Sequence, residues 1–238
     1  MVTKLTCEDI LHEKLNRLVI KRIPSRRNLV YLIQGNLIVK KFVSSKNAKK
    51  EFDLLNRIRE LDINAPKPIL LCDNILVLSY VGENDLGVIL DKIPQDKRTR
   101  IFQKIGEIIG KIHSKLNISL QDVNLRNFII NNINNEELYI VDVEDYVEGA
   151  NVEETLGDLA SSIFHFNFRV SMEERMEWLL ALLNGVKKYL ESINIKDVLK
   201  NGLKRIDEKN RLHPELSDKF NETQKILVRV FRNLFKLN

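Results

Sequence analysis

The character of this chain changes near Gly82, from mostly short β-rich runs to mostly helical spacing, and that change limits the fold more than any other feature. Before it, short β-rich runs at 18–23, 29–33 and 37–43 are separated by Pro24-Ser25-Arg26-Arg27-Asn28 and by Gln34-Gly35-Asn36. Runs of that length between turn-forming residues predict a three-stranded antiparallel meander. Residues 44–61 take a helical period, with Ala48, Phe52, Leu55 and Ile58 on one face. Pro66 and Pro68 exclude helix next, and 69–71 with 75–81 predict a hairpin around Cys72-Asp73-Asn74. Ahead of all this, Thr6-Cys7-Glu8-Asp9 predicts a capping box opening a short helix to about residue 15.

After Gly82 helices dominate. Residues 96–116 place Ile101, Phe102, Ile105, Ile108, Ile109, Ile112 and Leu116 at helical spacing. Two short strands at 128–130 and 138–141 flank an Asn-rich turn. Ser171-Met172-Glu173-Glu174 predicts a second capping box and a helix to about residue 191, followed by helices near 195–205 and 215–237. The expected class is therefore α+β in two lobes. Residues 1–81 would form a small five-stranded antiparallel lobe with one helix, and 82–238 a larger, mainly helical lobe.

At 238 residues, 44% hydrophobic and 30% charged, the chain can bury a core without metal or disulfide staples. No apolar run reaches the roughly 18 residues a membrane helix needs. The opening MVTKLTCEDILHEKL lacks an apolar signal core, so a cytoplasmic location is expected, with no membrane partner and no DNA. Cys7 and Cys72 are too few for a cysteine framework and are expected as free thiols. Charge is unevenly placed. Residues 1–50 carry 12 Lys/Arg against 3 Asp/Glu, whereas 121–158 carry 1 against 10. That distribution fits either solvated helix faces or a polyanion-binding surface around an acidic, cation-holding centre.

The strongest constellation is Gln121-Asp122-Val123-Asn124-Leu125-Arg126-Asn127, followed by Asp142 at the end of the next strand. Phosphoryl transfer uses one carboxylate to orient the attacking hydroxyl, and an amide oxygen with a second carboxylate to hold Mg²⁺. Taken alone, Asp122 and Asn127 also suit an ordinary turn. Upstream, Lys40 lies in the third predicted strand, and Glu51 lies in the following helix beside its apolar face. A Lys–Glu pair there can aim an ammonium at nucleotide phosphates. Lys41 competes with Lys40 for this place, since strand alternation turns only one of them inward.

With these residues the chain resembles the protein kinase-like superfamily. It is most similar to the compact members: RIO-type and KEOPS-complex kinases and the aminoglycoside/choline phosphotransferases. Val77-Leu78-Ser79-Tyr80-Val81-Gly82 is similar to their hinge, and Thr155-Leu156-Gly157-Asp158-Leu159-Ala160 to the segment whose Asp braces the catalytic loop. The resemblance spans about residues 18–165. It implies an ATP-dependent kinase with Mg²⁺. Lys40 would contact phosphates with Glu51 as partner, and Asp122 would be the catalytic base. Asn127 and Asp142 would be the metal ligands, and Asp158 the brace. Ser79, Tyr80 and Val81 would face adenine, and Ser25 and Asn28 the phosphates. The departures are specific. The phosphate loop, residues 24–30, has no glycine; Leu120-Gln121 replaces the His that precedes the catalytic Asp; and Val143-Glu144 follows Asp142 in place of Phe-Gly. No Ala-Pro-Glu segment follows, which argues against control by activation-loop phosphorylation.

For the acceptor, Lys21, Arg22, Arg26 and Arg27 flank the phosphate loop, while Lys225, Arg229, Arg232 and Lys236 recur at spacings of 4, 3 and 4 on the last helix. Two basic clusters suit a phosphate backbone. Some archaeal RNA kinases that act on a tRNA ribose hydroxyl are similarly trimmed. The reading therefore leans to an RNA hydroxyl, followed by a protein Ser/Thr or a small-molecule hydroxyl. A non-catalytic RNA- or protein-binding scaffold is the further alternative. The acidic 136–158 stretch favours a cationic acceptor instead.

Overall fold

The computed structural model describes residues 7–8, 18–25 and 27–237. Arg26 and all of the predicted N-terminal capping box except Cys7 and Glu8 lie outside the described residues. The chain forms two compact units. The first is Met1–Gly82 with Tyr139–Glu144; the second is Glu83–Leu138 with Asp145–Asn238. The late segment Tyr139–Glu144 in the first unit is invisible to a reading that places a single division at 81/82.

In the first unit, β1 (Val19–Ile23), β2 (Leu29–Ile33), β3 (Leu37–Lys41), β4 (Pro68–Cys72) and β5 (Ile75–Ser79) form one antiparallel sheet in the order β1-β2-β3-β5-β4. Ile33, Val39, Cys72, Ile75 and Val77 make a buried cluster in it. Register places Lys40 opposite Val30 on one side and Leu76 on the other. Helix α1 (Ser45–Glu60) opens on Ser44, whose side chain accepts from the Asn47 N–H at 3.3 Å. It buries Ala48, Glu51, Leu54, Leu55 and Ile58, and Phe52 is only half-buried. The inward face is thus rotated towards Glu51 relative to the apolar pattern. Cys7 and Cys72 are joined in a disulfide, with Cα atoms 5.6 Å apart. This corrects the expectation of free thiols. The 65-residue separation carries no sequence signal, and the pairing follows from where the Cys72 end of β4 lies.

The second unit begins with a short helix, α2 (Leu86–Ile89), and continues with α3 (Gln95–Leu116), β6 (Ile118–Leu120), β7 (Phe128–Asn132), β8 (Glu137–Ile140) and β9 (Tyr146–Glu148). It ends in α4 (Val152–His165), α5 (Met172–Lys187), α6 (Ile195–Leu212) and α7 (Ser217–Phe235). β8 runs across the division, so Tyr139 and Ile140 belong to the first unit. The β6–β9 pairing and α4 are absent from the sequence prediction. Each strand of that pair has three residues, too short for alternation to register. α4 carries Glu154, Asp158, Ser161, Ser162 and His165 on one face and Leu156, Leu159 and Ile163 on the other, a helical period present in the sequence although most of the polar face is buried. No helix among the described residues is long and apolar enough to cross a membrane.

Two pairs of helices meet through glycine. Phe102 on α3 stacks on Trp178 of α5 at 4.9 Å, and beside them Gly106 and Gly185 let the backbones touch. A Cβ on Gly185 would collide with the Gln103 carbonyl oxygen. On the other side of α4, a Cβ on Gly157 would lie 2.6 Å from the Gly202 nitrogen of α6. Backbone cannot yield as a flexible side chain can, so Gly185→Ala is expected to cost about 1–3 kcal/mol or more. A urea titration followed by circular dichroism reads this directly, and an unchanged midpoint would contradict the packing.

Candidate active site

β3 alternates, so Lys40 turns inward, 5% exposed, while Lys41 is exposed. The Lys40 Nζ donates to Glu51 Oε2 at 2.6 Å and to Asp142 Oδ1, and lies 3.3 Å from Glu144 Oε2. All four residues belong to the first unit. Burial works against the Lys40 charge, but Glu51, Asp142 and Glu144 outweigh it and hold the ammonium far above the usual lysine range. For Glu51, burial is the larger effect and pushes its carboxyl up to about 7 against the pull of Lys40. The two shifts agree physically, because one ammonium divided among three carboxylates leaves the group with surplus negative charge. The Glu51, Asp142 and Glu144 oxygens lie within 4.8 Å of one another, and the Asp142 side chain is 56% exposed.

Glu144 was not among the sequence candidates, although its place after Asp142-Val143 marks a departure from the family pattern. It is buried, and both of its oxygens accept from Asn28 Nδ2, at 3.0 and 2.9 Å. Asn28 ends the glycine-free loop, and its own N–H donates to Ser25 Oγ at 3.3 Å. The loop is therefore anchored to Glu144 through its Asn side chain. Lys21, Arg22 and Arg27 are exposed around it. In the hinge segment, the Ser79 N–H donates to the Lys67 carbonyl at 2.9 Å and the Tyr80 N–H to the Asn36 carbonyl at 3.0 Å. Those two donors are engaged within the sheet, while Val81 lies just beyond β5.

The second unit holds Asp122, Asn127 and Asp158. Asp122 takes a left-handed conformation, φ 55°, as Asp142 does at φ 59°. Asp is among the few non-glycine residues that take this conformation readily, as Asp62 and Asp73 also do in this chain. The loop is knit by short contacts. Asn124 Oδ1 accepts from the Arg126 N–H at 3.0 Å, and Asn127 Oδ1 accepts from the Asn124 N–H at 2.9 Å. Asp158 accepts from the Val123 N–H, and burial pulls its carboxyl up to about 7 despite that bond and nearby Lys209. Thr155 Oγ1 donates to the Leu120 carbonyl at 2.8 Å, tying α4 to the residue before Gln121.

Sequence reasoning also missed Arg205 on α6. Its Nη2 bonds Asp122 Oδ1, its Nη1 donates to Glu208 Oε2 at 3.2 Å, and its Nε lies 3.5 Å from Asp158 Oδ1. No spacing rule reaches Arg205 from Asp122, because only the packing of α6 on α4 joins them. Lys225, Arg229, Arg232 and Lys236 are exposed on or just after α7, opposite its buried Phe220, Leu227, Val230 and Phe231.

The RIO domain family model matches residues 24–166. Among curated proteins the chain is similar to the KEOPS complex subunit Bud32 of Pyrococcus abyssi, 25% identical over 126 residues that cover 50% of this chain and 56% of that protein. It is also similar to the 3-deoxy-D-manno-octulosonic acid kinase of Vibrio vulnificus, 29% identical over 110 residues that cover 42% of this chain and 44% of that protein. The chain thus spans about half the length of the curated relatives it matches. One similar solved structure is a choline/ethanolamine kinase family protein from Mesorhizobium loti, 13% identical, with TM-score 0.57 over 97% of this chain and 96% of the other. Another is aminoglycoside 2'-phosphotransferase-IIIa in its GDP complex, 12% identical, with TM-score 0.62 over 95% and 97%. Likeness at these identities shows the α+β kinase-like fold.

Two expectations test this geometry without an assay of activity. Asn28→Ala removes two hydrogen bonds to a buried carboxylate and should destabilise the protein by about 1.5–3 kcal/mol, read by urea denaturation. Asp158 binds its proton more tightly when folded than when unfolded. Its contribution is therefore fully present below the ordinary carboxyl value of 3.8 and is lost as pH rises through about 7. Asp158→Asn, still able to accept from Val123, should flatten the fall in stability across that window. A variant whose stability falls with pH as steeply as the parent's would place the Asp158 carboxyl outside this account.

Proposed function

Because the chain belongs to the RIO domain family, we propose that it is an ATP-dependent phosphotransferase, and that the hydroxyl it phosphorylates belongs to RNA, a tRNA ribose being the favoured site. The observation that carries the phosphotransferase reading is Lys40, a buried ammonium held between Glu51 and Asp142. Phosphoryl transfer is mainly a matter of position and charge, and this pair presents a fixed cation beside a reachable carboxylate.

In this reading Lys40 binds nucleotide phosphate oxygens, and Glu51 fixes the direction of its ammonium. Ser25 and Asn28 steady the phosphate loop, and Ser79, Tyr80 and Val81 border the base. Asp142 and Asn127 would hold Mg²⁺. The surplus negative charge around Lys40 fits a divalent cation, and an amide oxygen such as Asn127 Oδ1 is a donor such an ion takes beside a carboxylate. Bound with nucleotide, the ion would neutralise phosphate charge as the terminal phosphoryl group leaves. Asp122 orients the acceptor hydroxyl and receives its proton. The hydroxyl oxygen forms the new bond to the γ-phosphorus, the bond to the β–γ bridging oxygen breaks, and ADP departs with that electron pair. Asp158 keeps Asp122 in place through the Val123 N–H.

The RNA reading is supported by the basic balance of residues 1–50 and by the exposed row Lys225, Arg229, Arg232 and Lys236. The acidic balance of 121–158 favours a second reading, a cationic small-molecule acceptor. Incubation with γ-labelled ATP and separate RNA, protein and metabolite fractions distinguishes them, and label in RNA is the expected result. Asp122→Ala should cut transfer by about 10²–10⁴ with nucleotide affinity little changed. Asp142→Ala should abolish the Mg²⁺-dependent rate. Full transfer by Asp122→Ala would overturn the assignment of the base, and label confined to metabolites would remove RNA while leaving the phosphotransferase.

A further inference from the structure

α6 lies outside the residues that the family model matches, yet one of its side chains is bonded to the proposed base. The Arg205 side chain is 18% exposed and that of Asp122 37%, so solvent reaches the pair. Its Nε is buried and makes no hydrogen bond, although Asp158 Oδ1 lies 3.5 Å away. A guanidinium has five N–H donors arranged as a fork that suits planar or tetrahedral oxyanions. Here the fork is shared among Asp122, Glu208 and Asp158, and none of these provides two parallel bonds.

That arrangement has a chemical consequence. Arg205 holds Asp122 Oδ1, one of the two oxygens an acceptor hydroxyl can approach. A neutral acceptor gains nothing from displacing the guanidinium. An acceptor carrying an oxyanion close to its hydroxyl can take the guanidinium onto that group and leave the Asp122 oxygen to the hydroxyl. The neighbouring surface has the matching sign. Glu208, the partner of Arg205, lines a groove of about 490 Å³ along α6 with Asp207 and with Lys196, Lys200, Lys204 and Arg211, so cations outnumber carboxylates there.

We propose that Arg205 is an oxyanion subsite for the acceptor, so that the phosphorylated hydroxyl lies next to a phosphate or carboxylate group. The proposal rests on the phosphotransferase reading and narrows its substrate class. A phosphodiester of RNA and the acid group of a small sugar share this chemistry, and the test separates them.

The test compares kcat and KM for a single-stranded RNA oligomer, ribose 5-phosphate and gluconate with those for the neutral partners adenosine, ribose and glucose. At least one anionic probe should exceed its neutral partner by about tenfold or more in kcat/KM. Arg205→Gln should raise the KM of that probe by about tenfold and erase the preference, with Arg205→Lys restoring part of it. Glu208→Gln, which releases the guanidinium from a competing carboxylate, should lower the same KM; it also keeps the test intact if Arg205→Gln fails to fold. Preference for the RNA oligomer alone identifies a phosphodiester, and preference for gluconate identifies a sugar acid. Neutral and anionic partners used equally well, a preference that survives in Arg205→Gln, or transfer to no anionic probe would each overturn the subsite. If Asp122-dependent ATP turnover persists in that last case, the subsite falls and the phosphotransferase stands; if turnover is also absent, both fall.

Discussion

A single buried ammonium organises the first unit. Lys40 comes from β3, Glu51 from α1, and Asp142 and Glu144 from a segment about a hundred residues further along the chain. Two of the three carboxylates are buried, and without the lysine they would repel one another in a poorly screened interior. Loss of one partner from such a group costs about 3–5 kcal/mol, far more than a surface pair contributes. This explains why Tyr139–Glu144 joins the sheet-bearing unit, where the Ile140 N–H also donates to the Asn64 carbonyl at 3.0 Å. It also gives the glycine-free loop a role: Asn28 closes on Glu144, so the loop is anchored by an amide–carboxylate contact instead of by backbone freedom.

The second unit uses the same logic with the signs exchanged. Its loop carboxylate, Asp122, is met by a guanidinium from a distant helix, and a second buried carboxylate, Asp158, supports the loop backbone. Both proposed functional aspartates stand in left-handed backbone, which Asp adopts more readily than most other side chains. Thr155 and Asp158, one turn apart on α4, fasten the loop from both ends.

The sheet, its helix and the long helices were legible in the sequence because each has a period that half-burial imposes. α4 has such a period too, with Glu154, Asp158, Ser161 and Ser162 opposite Leu156, Leu159 and Ile163, but is absent from the sequence prediction; β6 and β9 are too short to have one. α6 runs to Leu212, past the expected residue 205, because its polar C-terminal half still favours helix. Lys40, Glu51, Asp122, Asn127 and Asp142 could be singled out because phosphoryl transfer demands those residue types in that order. Glu144 and Arg205 could not. Each acts through a partner more than eighty residues away, and a contact between such residues leaves no trace in local spacing.

The contact of Gly157 with Gly202 has a consequence for how such a chain can vary over time. Arg205 lies three positions after Gly202 on one helix, and each helical step turns a side chain by about 100° and advances it about 1.5 Å. The glycine contact therefore acts as an index mark. Point substitutions along the outer face of α6 leave that mark untouched and can reshape which molecules dock there. A one-residue insertion or deletion between 202 and 205 would swing the guanidinium away from Asp122 while every helix stayed folded. Lineages derived from this chain should thus diversify on this helix by exchange of side chains, with its length between those two positions held constant.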